Sequence, residues 1–169
     1  MTKRINIRCL GIKAFAGIER VTWVDGVNSL QDNGEHILMW DFDGVDRKAM
    51  IESLMGQQLV NRLSDILILD TLKRYNNPDP WAEYPVLSSY HAYCFTTLPW
   101  REAFTIVWNT PKVCQTYLKM AFVRGYFTLR FSPKNGRGFK LLTTLPGLTV
   151  PSMEAEKASS FVRYLTKRT

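Results

Sequence analysis

Four apolar residues in a row, Ile37-Leu38-Met39-Trp40, run directly into Asp41-Phe42-Asp43 and stop at Gly44. An apolar run this short, closed by a turn residue, reads as a buried strand. Side chains alternate along a strand, so Asp41 and Asp43 point to one face while Trp40 and Phe42 point to the other and can anchor the strand in the core. Two neighbouring carboxylates repel unless a cation lies between them. Hard ions such as Mg²⁺ or Mn²⁺ take oxygen ligands and usually retain substrate phosphates as further ligands. The pair is therefore a candidate metal site of a kind suited to phosphoryl or nucleotidyl transfer.

The rest of the chain supplies a frame for such a strand. Residues 4–9 and 19–24 read as strands. Residues 46–63 read as a helix with Met50, Ile51, Leu54, Met55, Leu59 and Leu63 on one stripe. Ile66-Leu67-Ile68-Leu69 is a second short apolar run ending at an acid, Asp70, with a polar loop after it that carries the breakers Asn76-Asn77-Pro78-Asp79-Pro80. A strand is expected over 86–96, and Pro99 opens a helix to about Trp108. Thr110-Pro111 is expected to cap and open a further helix that Gly125 ends. Residues 126–131 alternate as a strand, Asn135-Gly136 signals a hairpin into a strand at 139–145, and Ser152 caps a last amphipathic helix. Strands interleaved with helices, some joined by hairpins, predict an α+β fold: a mixed or antiparallel sheet flanked by helices.

A chain of 169 residues, 46% of them apolar and 12% aromatic, fits a single domain with a real core over residues 1–169. No run approaches the roughly 18 apolar residues that span a bilayer, and the basic N-terminus lacks a signal-like apolar stretch, so no membrane partner is expected. Cys9, Cys94 and Cys114 show no C-x-x-C spacing, which favours reduced thiols in a cytoplasmic compartment over a zinc site or disulfide framework. The net charge is +7, and no acidic residue falls between Glu102 and Glu154. That segment carries Lys112, Lys119, Arg124, Arg130, Lys134, Arg137 and Lys140, a positive field that attracts phosphates.

Further candidates for chemistry lie on the later strands. Ser89, His91 and Tyr93 share a face, and near a metal and phosphates His91 could donate a hydrogen bond to a phosphate oxygen. Thr128, Arg130 and Ser132 form the polar face of a strand whose other face is Phe127, Leu129 and Phe131, and Arg130 suits bidentate contact with phosphate. Lys134, Arg137 and Lys140, on or near the hairpin, could grip a nucleic-acid backbone.

In this order the pieces resemble the archaeo-eukaryotic primase and primase-polymerase superfamily. The matching residues are Met39-Trp40-Asp41-Phe42-Asp43, then Ser89-Tyr90-His91, then Leu129-Arg130-Phe131-Ser132-Pro133-Lys134, spread over residues 35–145. The resemblance implies an RRM-like catalytic domain that joins nucleotides on a DNA or RNA template. Asp41 and Asp43 would be its catalytic metal ligands for Mg²⁺ or Mn²⁺. His91, Arg130 and Lys134 would contact the triphosphate of a bound nucleoside triphosphate, Ser89 would shape that pocket, and Arg137 and Lys140 would hold nucleic acid. Other replication proteins would be its partners, and a virus or plasmid its natural setting. The family uses a third acid, yet no Asp follows Asp79; near the expected place stands Val113-Cys114, and Asp46 or Asp70 are other candidates.

Two rivals share these residues. Asp41-Phe42-Asp43-Gly44-Val45 also resembles the first motif of haloacid-dehalogenase-like phosphatases, in which the first Asp attacks phosphate and a later acid completes the Mg²⁺ site. The other is a non-enzymatic nucleic-acid-binding replication module, using the basic surface and aromatics such as Tyr90, Tyr93, Tyr126 and Phe139.

Overall fold

The computed structural model describes residues 3–9, 12–18, 26–130 and 138–150. Strands β1 (Lys3–Cys9) and β2 (Ile12–Ile18) form an antiparallel hairpin, with Lys3 opposite Ile18 and Cys9 opposite Ile12. The expected strand at 19–24, the Asn135-Gly136 hairpin and the helix after Ser152 lie outside the described residues, as do Ser132, Lys134 and Arg137. The core elements follow: β3 (Gly26–Asn28), β4 (His36–Val45), α1 (Arg47–Asn61), β5 (Ile66–Asn76), β6 (Val86–Leu98), α2 (Trp100–Trp108), α3 (Gln115–Arg124), β7 (Thr128–Arg130) and β8 (Lys140–Leu145).

The main sheet runs β4-β6-β5-β8 with every pairing antiparallel, and β3 pairs with β7 in a short second ladder. Since β4 and β5 flank β6 and are joined through α1, this part is a split β-α-β unit. The α+β class read from the sequence is therefore observed: antiparallel sheets with helices beside them. No helix among the described residues is long and apolar enough to cross a membrane.

Both apolar runs become buried strands. Residues 37–40 of β4 and 66–69 of β5 are buried throughout, and Trp40, Phe42, Tyr93 and Phe127 are among the largest fully enclosed side chains. Asp46 caps α1 by accepting a hydrogen bond from the Ala49 N–H at 2.8 Å. The buried stripe of α1 is narrower than its apolar pattern predicts: Met50 and Leu54 point inward, whereas Met55 and Leu59 are exposed. The next inward position is Gln58, whose amide donates to the carbonyls of Ser64 (3.0 Å) and Leu145 (3.3 Å). Backbone acceptors at the end of the helix thus claim a place that periodicity alone would give to an apolar residue.

Two boundaries differ from expectation. Strand β5 does not give way to a loop after Asp70 but continues to Asn76 across an irregularity in which Leu72 takes φ 56°. The Asp70 carboxylate stabilises that kink, accepting from the Leu72 N–H at 2.7 Å and from both Arg74 guanidinium nitrogens at 2.9 and 2.8 Å. Helix α3 starts not at Pro111 but after Cys114. Thr110 cannot cap it because its hydroxyl is already used: it donates to Ile106 O and accepts from Trp40 Nε1, each at 2.9 Å. The helix stops where predicted, at Gly125 with φ 76°.

Candidate functional site

Strand β4 is an edge of the main sheet, so its outward carbonyls need donors from elsewhere. Helix α3 and the residue before it supply them. The Tyr117 hydroxyl donates to Met39 O, and the Cys114 N–H donates to Asp41 O, both at 2.8 Å. This edge repair delivers the Cys114 side chain beside the acidic end of β4. Ligand atoms of Asp41, Asp43 and Cys114 all lie within 4.8 Å of one another. The residue that stands third beside the carboxylates is thus Cys114. Asp46 and Asp70 do not take that place. Asp46 caps α1, and Asp70 pairs with Tyr90 across the sheet, one step out of phase with His91 and hence on the opposite face.

On the other side of β4 the register sets Asp41 opposite His91 of β6. Cross-strand partners share a face, so the Asp-x-Asp and Ser-x-His pairs meet. Ser89 Oγ donates to Asp43 Oδ1 at 2.6 Å, and His91 Nε2 lies 3.6 Å from Asp41 Oδ1. Tyr75 donates to the same Asp43 oxygen at 3.0 Å and Lys73 at 3.3 Å, the Lys73 ammonium standing 4.4 Å from the centre of the Tyr75 ring. All three donors fall on Oδ1. Gly44, at φ 64°, turns β4 immediately after Asp43, and a Cβ there would meet the Tyr75 ring at 3.7 Å. That contact is an ordinary one, so it is the positive φ that favours glycine at this strand end.

Asp41, Asp43, Lys73, Ser89 and His91 line a cleft of about 470 Å³ with Thr71, Thr128, Leu129, Arg130 and Phe139. Lys73, paired with Asp43, and Arg130 bring positive charge to this lining, while the Phe139 ring packs 5.3 Å from the His91 ring. The residues singled out from the sequence that converge here are Asp41, Asp43, Ser89, His91 and Arg130, with Thr128 and Phe139 beside them. Lys140 does not; it is exposed at the start of β8, opposite Asp70. Tyr90 and Tyr93 are buried in the core and offer no stacking surface. Lys73, Tyr75 and Thr71 were hidden in what reads as a polar loop. Their signal is the alternation Thr71-x-Lys73-x-Tyr75, which continues β5 past Asp70.

Burial and mutual repulsion dominate the electrostatics of the site. Burial and then the neighbouring Asp43 push the Asp41 carboxyl up to about 7, against the pull of Lys73 and Arg130. No hydrogen bond reaches that carboxylate among the described residues. Burial and then Arg130 push His91 down to about 4, partly offset by Asp43, so the imidazole is neutral at physiological pH and its contact with Asp41 is not an ion pair. His91 Nδ1 is buried without a hydrogen-bond partner among the described residues. Two converging carboxylates, one of them unsatisfied, with a thiol beside them, are a donor set that fits a divalent cation. No family model, no curated protein and no solved structure matches the chain.

Proposed function

We propose that this domain binds a nucleoside triphosphate with a divalent cation and transfers its nucleotidyl group to a nucleic-acid strand on a template, in the manner of a primase-polymerase. The observation that carries this reading is the register placing Asp41 opposite His91, which brings the carboxylate pair and the Ser-x-His face into one cleft with Arg130 and Lys73. The split β-α-β frame and the acid-free basic segment support it further.

Asp41 and Asp43 would hold Mg²⁺ or Mn²⁺, which when bound neutralises phosphate charge and favours loss of the attacking hydroxyl's proton. The residues of the chain position the substrate. Arg130 gives the triphosphate a forked donor and Lys73 a point charge. Neutral His91 has one N–H to donate to a phosphate oxygen. Ser89 and Tyr75 fix Asp43 through one oxygen and leave the other for the cation. In the transfer, a 3′-hydroxyl oxygen bonds to the α-phosphorus, the bond from that phosphorus to the bridging β-phosphate oxygen breaks, and pyrophosphate leaves with the electron pair. The hydroxyl proton passes to water.

The phosphatase reading lacks support, because Asp46 and Asp70 are engaged elsewhere and bring no further carboxylate to the pair. Template-directed incorporation with Mn²⁺ or Mg²⁺ tests the proposal. Extended product that disappears in Asp41→Ala is expected. Salt-sensitive nucleic-acid binding with no product in any ion would replace it with a binding module. Phosphate release from a small ester without template would replace it with a phosphatase.

A further inference from the structure

Cys114 is held in place by its backbone at both ends, its N–H bonded to Asp41 O at 2.8 Å and its carbonyl accepting from Leu118 N at 3.1 Å. Its side chain makes no capping hydrogen bond, although it occupies the capping position of α3. The half-buried side chain packs against the core, and its sulfur lies within 4.8 Å of a ligand atom of each carboxylate. A second observation points to a ligand independently. His91 lines a cleft with Asp41 and Asp43 and is only 8% exposed; neither ring nitrogen makes a hydrogen bond among the described residues, Nδ1 being enclosed and Nε2 facing Asp41 at 3.6 Å. A hydrogen bond left unmade on a buried imidazole is costly, and Nε2, directed at Asp41, is the nitrogen that a ligand beside the carboxylates would satisfy.

We propose that the Cys114 thiolate is a ligand of the ion held by Asp41 and Asp43, and that it makes the site selective for a first-row transition ion between Mn²⁺ and Zn²⁺ over Mg²⁺. This rests on the metal reading of the carboxylate pair and narrows it. Mg²⁺ is a hard ion that keeps oxygen ligands and several waters, whereas a thiolate is soft and strengthens binding along the series toward Zn²⁺. The thiol must lose its proton to bind, and that proton is released to solvent as the ion enters. A carboxylate in the same place would serve Mg²⁺; sulfur shifts the preference without changing the fold, because the backbone of residue 114, and not its side chain, repairs the edge of β4.

Cobalt titration of the full chain, followed by absorbance, tests this without reference to activity. The wild-type protein is expected to develop a thiolate-to-cobalt charge-transfer band in the near ultraviolet that saturates at one equivalent. Mg²⁺ in about hundredfold excess leaves the band in place. Cys114→Ser abolishes it and weakens Co²⁺ binding by about tenfold or more. Cys114→Asp binds Co²⁺ without the band and lets Mg²⁺ compete. Equal Co²⁺ affinity in wild type and Cys114→Ser, with no band in either, overturns the thiolate ligand and leaves the carboxylate site standing. A band that persists unchanged in Asp41→Asn places the sulfur elsewhere and overturns it too. No Co²⁺ binding by the wild-type chain removes both the ligand and the metal reading beneath it.

Discussion

Strands β4 and β5 begin as near copies, four apolar residues followed by an acid, yet their acids meet opposite fates. Asp70 is satisfied: a bidentate Arg74 and a backbone N–H use its oxygens, and they stabilise a kink. Asp41 is largely buried with no hydrogen bond among the described residues, and its carboxyl is driven up to about 7. The two histidines divide the same way. His36, at the start of β4, shares a 3.0 Å hydrogen bond with Ser29 Oγ, while His91 leaves Nδ1 unpartnered among the described residues. Asp70 and His36, which hold the fold, have made their bonds, whereas Asp41 and His91, in the cleft beside a hydrogen-bonded Asp43, have not. An unmade bond at a buried polar atom costs stability, a cost that the proposed cation and nucleotide would offset.

The largest effect expected from this contrast is on metal binding. Asp41→Asn and Asp43→Asn should each abolish Mn²⁺ binding in a calorimetric titration, a loss of about a hundredfold or more, while the domain stays folded. Asp70→Asn should leave Mn²⁺ binding unchanged. Equal Mn²⁺ affinity in Asp41→Asn and wild type would erase the distinction between the two strand ends. Stability should divide the other way. Asp70→Asn loses its charge-assisted bonds to Arg74, a pair partly open to solvent, and should cost about 1–2 kcal/mol in denaturant unfolding. Asp41→Asn removes a buried charge beside Asp43 and should cost nothing.

How far the sequence foretold this division depends on range. Strand alternation placed Asp41 and Asp43 on one face and Arg130 on the polar side of its strand, because a period of two is a local property. The Asp-x-Asp and Ser-x-His order suggested that β4 and β6 meet, but no local pattern gives the register that sets Asp41 opposite His91. Lys73 and Tyr75 were lost behind Asp70 because the kink at Leu72 depends on a side-chain-to-backbone bond, which hydrophobic periodicity does not register. Cys114 stood out only as a non-acid where an acid was sought; its closeness to Asp41 follows from an unpaired edge carbonyl, a demand visible only once β4 is known to be an edge. Thr110 misled for a related reason, since Trp40, 70 positions away, claims the hydroxyl that a local reading assigns to a cap.

The arginines sharpen the contrast at smaller scale. Arg130 lines the cleft, and Arg74 is bound to Asp70. Arg130→Ala should weaken binding of a nucleoside triphosphate by about tenfold while leaving Mn²⁺ affinity intact, as befits a phosphate contact that is not a metal ligand. Arg74→Ala should leave nucleotide affinity unchanged and lower stability instead. Fluorescence titration with a labelled nucleotide separates them. Equal nucleotide affinity in Arg130→Ala and wild type would remove Arg130 from the binding surface.

The smallest effect concerns His36, on the satisfied side. Burial lowers its pKa from the ordinary histidine value of about 6.5. The unfolded chain therefore takes up a proton at His36 before the folded chain does. Stability linked to His36 is intact above pH 6.5 and declines as the pH falls from there toward the lowered folded value. The drop in melting midpoint between pH 7.5 and pH 5.5 should accordingly be smaller in His36→Gln than in wild type, because one proton-linked group is gone and the amide can still bond Ser29. Ser29 also donates nothing to the cleft: its hydroxyl oxygen accepts from the Phe127 N–H at 3.0 Å and so ties β4's entry to the segment leading into β7. The same substitution should then leave Mn²⁺ and nucleotide binding untouched. A His36→Gln protein with weakened metal binding would mean that the entry of β4 and its acidic end are coupled, and that the separation between bonds holding the fold and bonds left for a ligand is not clean.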